Sequence, residues 1–531
     1  MFLSRRSLRL LQFHRRHRCC RSSWCCLVSS PYFSSYSKES VTTEVAPIVH
    51  HGPFGSGGTV VGFSKYDGVR AAFEENFARR LELGAQLVVY EKGDKIIDLY
   101  GYAPETVTEP QHNNNDGEGE NNLTTGYYDG ETLQCVFSSG KNMEAIAMAM
   151  LVDRGLVAYE DLVTTHWPEF GANGKDNITI ADVMRHSGGV PFVLDPDHPH
   201  ETVTITPEDV IRVAPLEHKI CAAPRFPPTT SPAMAYHAHT RGWIVSGILR
   251  RADPAGRSLG QFLREEVTDP LSKCKADCEH EHENGNGKEV TFFCGIPKED
   301  QPHYHFADTK LGFLPYRMMT EMIPALAGYG DQPTAEFAKL FLTRRDLRRP
   351  VVSWLNLFPT PIFDFENSPE GRSIESPSAG MMANARSMAL INAAAMAGDG
   401  SHQGVRLLSP EGVSHSMGDI VTQQDHLFDL WFGLSRGGYG SFKHVWQQQG
   451  DSSSGNDESE SYRTRMFLPD DEIAFGNFKG WGGFGGSLSM VDRERNISFA
   501  YCMNATGLNL LGGVRSRRIL LALQQALAAA E

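Results

Sequence analysis

The stretch CVFSSGKNMEAIAMAMLVDRG, Cys135–Gly155, decides how the rest of the chain is read. Its apolar residues Met143, Ile146, Ala147, Met150 and Leu151 recur at helical spacing, and Gly155 supplies a stop, so an amphipathic helix is predicted. Two serines stand at its start. Ser is a preferred N-cap, so an ordinary capped core helix accounts for the pattern. Ser138, however, lies three residues ahead of Lys141, which puts both side chains on one side of the first turn. A buried lysine amine can lose its charge and take a serine proton, and the N–H groups and dipole of a helix end favour a developing oxyanion. The stretch alone does not choose between cap and nucleophile.

Two further stretches weigh on that choice. Pro232–Arg251 (PAMAYHAHTRGWIVSGILRR) puts Tyr236 ahead of a second helix, and Gly476–Asp492 (GNFKGWGGFGGSLSMVD) puts a glycine-rich run on the first strand of a hairpin. Together with FSSGK, in this order, they resemble the serine β-lactamase-like family, in its class C β-lactamase and family VIII esterase branch, with a penicillin-binding-protein-like transpeptidase fold. The likeness extends through residues 67–101, 149–191 and 405–413 and covers about Thr59 to the C-terminus, apart from three polar insertions. It implies that Ser138 is the acylated nucleophile, Lys141 its proton acceptor and Tyr236 a second acid/base. It also implies an oxyanion hole from the backbone N–H groups of Ser138 and Phe484, with Trp481, Gly482 and Gly483 on the substrate-binding strand. Glycines suit that strand because a backbone N–H must approach the substrate with no side chain in the way.

Two positions depart from the family. β-Lactamases and transpeptidases start the triplet with Lys or His, whose charge holds a substrate carboxylate; here it is Trp481, which offers an indole donor and an apolar face. The tyrosine motif usually has Asn two residues on, and here Ala238 stands there. Both losses point to a neutral small-molecule ester or amide, with an acyl chain packing on Trp481 and Phe484. The expected activity is therefore a serine hydrolase of carboxylesterase type. A peptidase or D-aminoacyl hydrolase, a β-lactamase, and a non-catalytic assembly protein of the same fold are the alternatives.

The surrounding elements give an α+β layout. Val69–Leu83 reads as an amphipathic helix, Gln86–Tyr102 as a hairpin turning at Lys92-Gly93-Asp94, Gly485–Asn504 as a second hairpin and Arg517–Ala530 as a terminal helix. The middle, from Asn142 to about Leu408, reads as mainly helical. An antiparallel sheet built from both chain ends, flanked by terminal helices and joined to a helical region, follows. Residues 1–40 read as an organelle transit peptide, 41–58 as a linker, and 59–531 as the hydrolase domain. Its loop insertions fall near 103–126, 274–290 and 447–462, where the chain is polar and aperiodic.

Several competing signals are weaker. Gly433-Leu434-Ser435-Arg436-Gly437 matches a nucleophile elbow, but no acidic residue separates Ser435 from His444, the last histidine, so a triad in that order cannot be completed. Cys274, Cys278, His280 and His282 carry soft donors at a spacing unlike the usual zinc patterns. His186, His237 and His239 read as structural. Gly140-Lys141 lacks the earlier glycine of a phosphate loop. No metal and no cofactor are expected.

The formal net charge of −14 argues against a nucleic-acid partner, and no apolar run is long enough for a transmembrane segment. The composition does not fix the oligomeric state, and a homo-oligomer stays open. Six of the ten cysteines lie beyond the first 38 residues without framework spacing, which fits free thiols in a reducing compartment. Residues 1–38 hold eight Lys/Arg and no acid, the pattern of a transit peptide. Mitochondrion is the expected destination, with plastid or cytoplasm as alternatives. A reporter fused to residues 1–38 should enter mitochondria in cells; a reporter that stays cytosolic contradicts the reading.

Overall fold

The Gln86–Tyr102 segment forms its hairpin around Lys92 and Gly93, whose φ angles of +54° and +91° fit the two-residue turn that matches strand twist. A computed structural model describes residues 49–51, 54–60, 63–103, 128–198, 201–228, 231–273, 289–311, 362–427, 431–441, 443, 473–507 and 513–529. Among the described residues ten strands make the main sheet. They are β1 (Val49–His51), β2 (Phe54–Val60), β3 (Gly84–Glu91), β4 (Asp94–Tyr102) and β5 (Val421–Gln424). The others are β6 (Trp431–Leu434), β7 (Gly440–Ser441), β8 (Lys479–Gly482), β9 (Leu488–Asp492) and β10 (Ile497–Met503). The order is β1-β2-β4-β3-β10-β9-β8-β7-β6-β5, antiparallel throughout.

The two chain ends meet where β3 pairs with β10, Val88 opposite Ala500. Alternation along these strands feeds two cores. Leu87, Val89, Phe499 and Tyr501 face one side, against α1 (Phe63–Ala78) and α5 (Gly513–Ala528). Val88, Ala500 and Cys502 face the other, in the core that holds α2 (Lys141–Asp153), α3 (Thr240–Ala252) and α4 (Ala385–Asn392). The larger of these, such as Leu87, Val89 and Phe499, each contribute about 1.5–3 kcal/mol by leaving water. Both cores run through this one sheet, so it fixes where α2 lies.

Several expectations need correction. The stretch 41–58, read as a linker, supplies β1 and most of β2, which pairs with β4 from Gly55–Tyr102 to Val60–Ile97. FGSGGTV carries no apolar alternation, so backbone pairing rather than side-chain pattern makes it a strand. The helix expected at Val69–Leu83 runs Phe63–Ala78 and stops before Arg80, whose φ of +56° leaves the helical region. The terminal helix starts four residues early, at Gly513. Residues 1–40, read as a transit peptide, lie outside the described residues, as do most of the three insertions and all of Cys274, Cys278, His280 and His282. Among the described residues no helix is long and apolar enough to cross a membrane, and Cys135, Cys221, Cys294 and Cys502 are free thiols.

Among the described residues only His402 Nδ1, at 4.0 Å, approaches a Cβ built on Gly93, so a substitution there tests backbone conformation and not packing. Gly93→Ala should lower unfolding free energy by about 1–2 kcal/mol in urea titrations, because a side chain disfavours positive φ; unchanged stability would contradict the turn assignment.

Candidate active site

Ser138 sits in a tight 3-10 turn, Phe137–Gly140, that leads straight into α2. Gly140 is the N-cap and no side chain caps the helix, so neither serine plays the capping part that its residue type suggests. Nor is α2 amphipathic: every residue from Lys141 to Leu151 is buried. Phe137 takes φ +46°, a conformation that bulky residues rarely adopt. The turn is held from outside. Ser487 Oγ donates to Val136 O at 3.0 Å and lies 3.0 Å from Ser139 Oγ, while Asn142 Nδ2 donates to Ser489 O at 2.8 Å. Gly483, directly after β8, is required here, since a Cβ would stand 2.3 Å from Val136 O and 2.2 Å from Ser487 Oγ.

Ser138, Lys141 and Tyr236, separated by up to 98 residues, come together. Lys141 Nζ lies 3.1 Å from Ser138 Oγ, and Tyr236 Oη donates to the same oxygen at 2.8 Å. Lys141 is fully buried, and its other two contacts are backbone carbonyls, Ala238 O at 2.8 Å and Ser378 O at 3.0 Å. Burial lowers its pKa to about 7; the nearby Glu144 carboxylate opposes the shift and Arg241 adds to it. A neutral amine has two N–H groups and one lone pair. With the N–H groups given to two carbonyls, the lone pair is left for the Ser138 hydroxyl proton. Burial moves Tyr236 the other way, holding its pKa above the usual phenol value. It is therefore a neutral donor in the resting site.

Tyr236 is set by its backbone. Its N–H donates to Asp425 Oδ2 at 2.6 Å, and its ring lies stacked over Phe432 with centroids 6.1 Å apart. The two histidines nearest it are structural. His186 Nδ1 accepts from the His237 N–H at 2.9 Å. His237 Nε2 accepts from the Val190 N–H at 3.0 Å, and its Nδ1 then donates to Ala235 O. Burial pushes both imidazoles well below their ordinary pKa, His237 to about 3, so neither carries charge at neutral pH. Beneath the site Arg241 and Glu144 form a fully buried ion pair at 3.1 Å, and Glu144 also accepts from Ser378 Oγ at 2.5 Å.

Trp481 does not present itself as its sequence position suggests. Its Nε1–H donates to Gly438 O at 2.7 Å, the Arg241 guanidinium lies 5.2 Å from its ring, and only 5% of the residue is exposed. The indole is turned into the body against Met234 and Leu434, with its donor already used. Phe484, in the turn after β8, keeps a half-buried ring at 5.9 Å from Phe137. Ser435 is buried in a turn where its hydroxyl donates to Ser416 O, which agrees with the strand–turn reading. Asp425, Phe432, Arg241 and Ser378 have no motif to announce them; each reaches the site through long-range folding. Among the described residues no cluster of His, Cys, Asp and Glu could hold a metal.

The Beta-lactamase family model matches residues 69–524. The chain belongs to the beta-lactamase family. An esterase/beta-lactamase, LipL of Mycobacterium tuberculosis, is 32% identical over 201 residues, 38% of this chain and 40% of that protein. The chain thus aligns with less than half the length of that relative. Among solved structures, a penicillin-binding-protein homolog from Caulobacter crescentus shares the fold with a TM-score of 0.60 at 23% identity, over 89% of this chain and 99% of that one. A family VIII carboxylesterase does so with a TM-score of 0.61 at 21% identity and the same coverage. EstA from Arthrobacter nitroguajacolicus Rue61a gives 0.59 at 20%, again over 89% and 99%. The family is one of serine hydrolases that includes esterases.

Proposed function

We propose that the protein hydrolyses neutral carboxylic esters through an acyl-enzyme on Ser138. The observation that carries this reading is the coordination of Lys141, whose two N–H groups meet carbonyls while its third contact is Ser138 Oγ. Ser138 Oγ attacks the ester carbonyl and its proton passes to Lys141 Nζ. The carbonyl oxygen becomes an oxyanion against the N–H groups of Ser138 and Phe484. As the C–O bond to the alcohol breaks, Tyr236 gives its proton to the departing alkoxide, and Lys141 restores the phenol. Deacylation reverses the route: water loses a proton to this pair, attacks the acyl carbon, and Ser138 leaves with a proton returned.

Two features support an ester over an anionic β-lactam. Trp481 stands where β-lactamases carry a cation, and Arg241 behind it is committed to Glu144. The rings beside Ser138 and Tyr236 are Phe137, Phe484 and Phe432, which suit an uncharged apolar group. Proposed substrate contacts therefore fall on Phe484 and the Gly482-Gly483 backbone, with Trp481 behind them. None of the relatives named above is described as a non-catalytic assembly protein, whereas LipL, an esterase/beta-lactamase, keeps β-lactam hydrolysis as the second outcome to test.

A fluorophosphonate probe should label Ser138, and Ser138→Ala should lose labelling and more than about a thousand-fold of p-nitrophenyl ester turnover. Persistent labelling of Ser138→Ala sinks the assignment. Faster turnover of a chromogenic cephalosporin than of any short ester would replace the esterase reading with a β-lactamase one.

A further inference from the structure

The turn that bears Phe484 is clamped from the far side by one buried side chain. Arg515, in the first turn of α5, is fully buried and reaches three backbone segments at once. Its Nη1 donates to Leu81 O at 3.2 Å and Ala505 O at 2.8 Å, and its Nη2 donates to Gly485 O, the carbonyl immediately after Phe484. Glu82, also fully buried, pairs with Nη1 at 2.6 Å and accepts from Tyr501 Oη. The charge is thereby balanced, so the guanidinium serves as a fixed fork.

The turn itself is short. Gly483 N–H donates to Ser487 O at 2.8 Å and Gly486 N–H to Gly483 O at 3.1 Å. Its other wall is Thr506, whose Cα would stand 2.8 Å from a Cβ on Gly485, where φ is +87°. Gly485 is therefore pressed against one backbone and bonded through its carbonyl to Arg515. On the opposite side, Gly483 is pressed against Val136 O, two residues before Ser138. Phe484 lies between these two fixed points.

We infer that Arg515 is a positioning residue that holds the Phe484 N–H in register with Ser138 for oxyanion stabilisation. The inference rests on the acyl-enzyme reading above. It gives the terminal helix a part in the chemistry. Removing one oxyanion donor costs on the order of 10²–10³ in rate. A loosened clamp should cost part of that.

The test uses the full chain, the fluorophosphonate probe and a p-nitrophenyl ester, with rates expressed per titrated active site. Arg515→Lys keeps a cation for Glu82 but loses the second arm to Gly485. It should lower kcat and the rate of labelling by about 10- to 100-fold, with KM changed less than about two-fold. Leu523→Ala, in the same helix and the same core, supplies a purely structural loss; it should lower Tm and leave the per-site rates intact. Should Arg515→Lys not fold, Glu82→Gln/Arg515→Gln, which leaves no buried charge unpaired, carries the same expectation. Per-site rates at the wild-type level in both Arg515 variants, or an equal fall in Leu523→Ala, overturn the inference while Ser138 labelling stands. A wild-type enzyme left unlabelled at Ser138 overturns both readings.

Discussion

An amine with no room to stay charged is the constraint on which the site depends. Lys141 is wholly buried, and its three nearest hydrogen-bonding atoms are neutral oxygens. Holding a full ammonium there costs several kcal/mol, so the amine gives up its proton around neutral pH, far below its ordinary value. To deliver those oxygens, the loop before α3 and the loop around Ser378 must both close on α2 at backbone distance. Gly242 permits it, since a Cβ there would stand 2.7 Å from Pro377 and 2.9 Å from Ser378 N. Gly140 permits the same on the other side, against Met381.

The nearby charges oppose each other: the Glu144 carboxylate favours the ammonium and Arg241 disfavours it, so burial decides. Glu144, one turn along α2, would be its natural partner, but Arg241 and Ser378 take both carboxylate oxygens. That pair also fastens α3 to α2, and removing one member would strand the other, at about 3–5 kcal/mol. His186 and His237 stay neutral chiefly because burial disfavours their charged forms, with the Arg241 and Lys141 charges adding to the shift. The site is thus polar in its bonds yet nearly free of mobile charge, which suits an uncharged substrate.

Local signals in the sequence were legible where a backbone requirement selects the residue. The Lys92-Gly93 turn, the Gly155 stop and the Gly-rich end of β8 each need a conformation or an approach that few residues provide. The spacing of Ser138 and Lys141 likewise translates directly into one helical turn. What could not be read depends on partners far along the chain. β2 carries a glycine-rich sequence that only its pairing with β4 makes a strand. The inward turn of Trp481 is fixed by Gly438 O and Arg241, and the placement of Tyr236 by Asp425, 189 residues away. α2 looked amphipathic because its polar residues Asn142 and Glu144 are buried in specific bonds, not exposed.

The dependence of Ser138 labelling on pH tests the central claim most directly. Only the neutral amine can accept the serine proton, and its folded-state pKa is depressed to about 7, so the base form appears as pH rises through that value. Tyr236, pushed upward, stays a phenol across the same range. The fluorophosphonate labelling rate should therefore rise about tenfold per unit below pH 7 and level off above it, with the limb lost in Lys141→Met. A rate that climbs steadily toward pH 10, as for an ordinary lysine, or one that ignores pH altogether, would contradict the account.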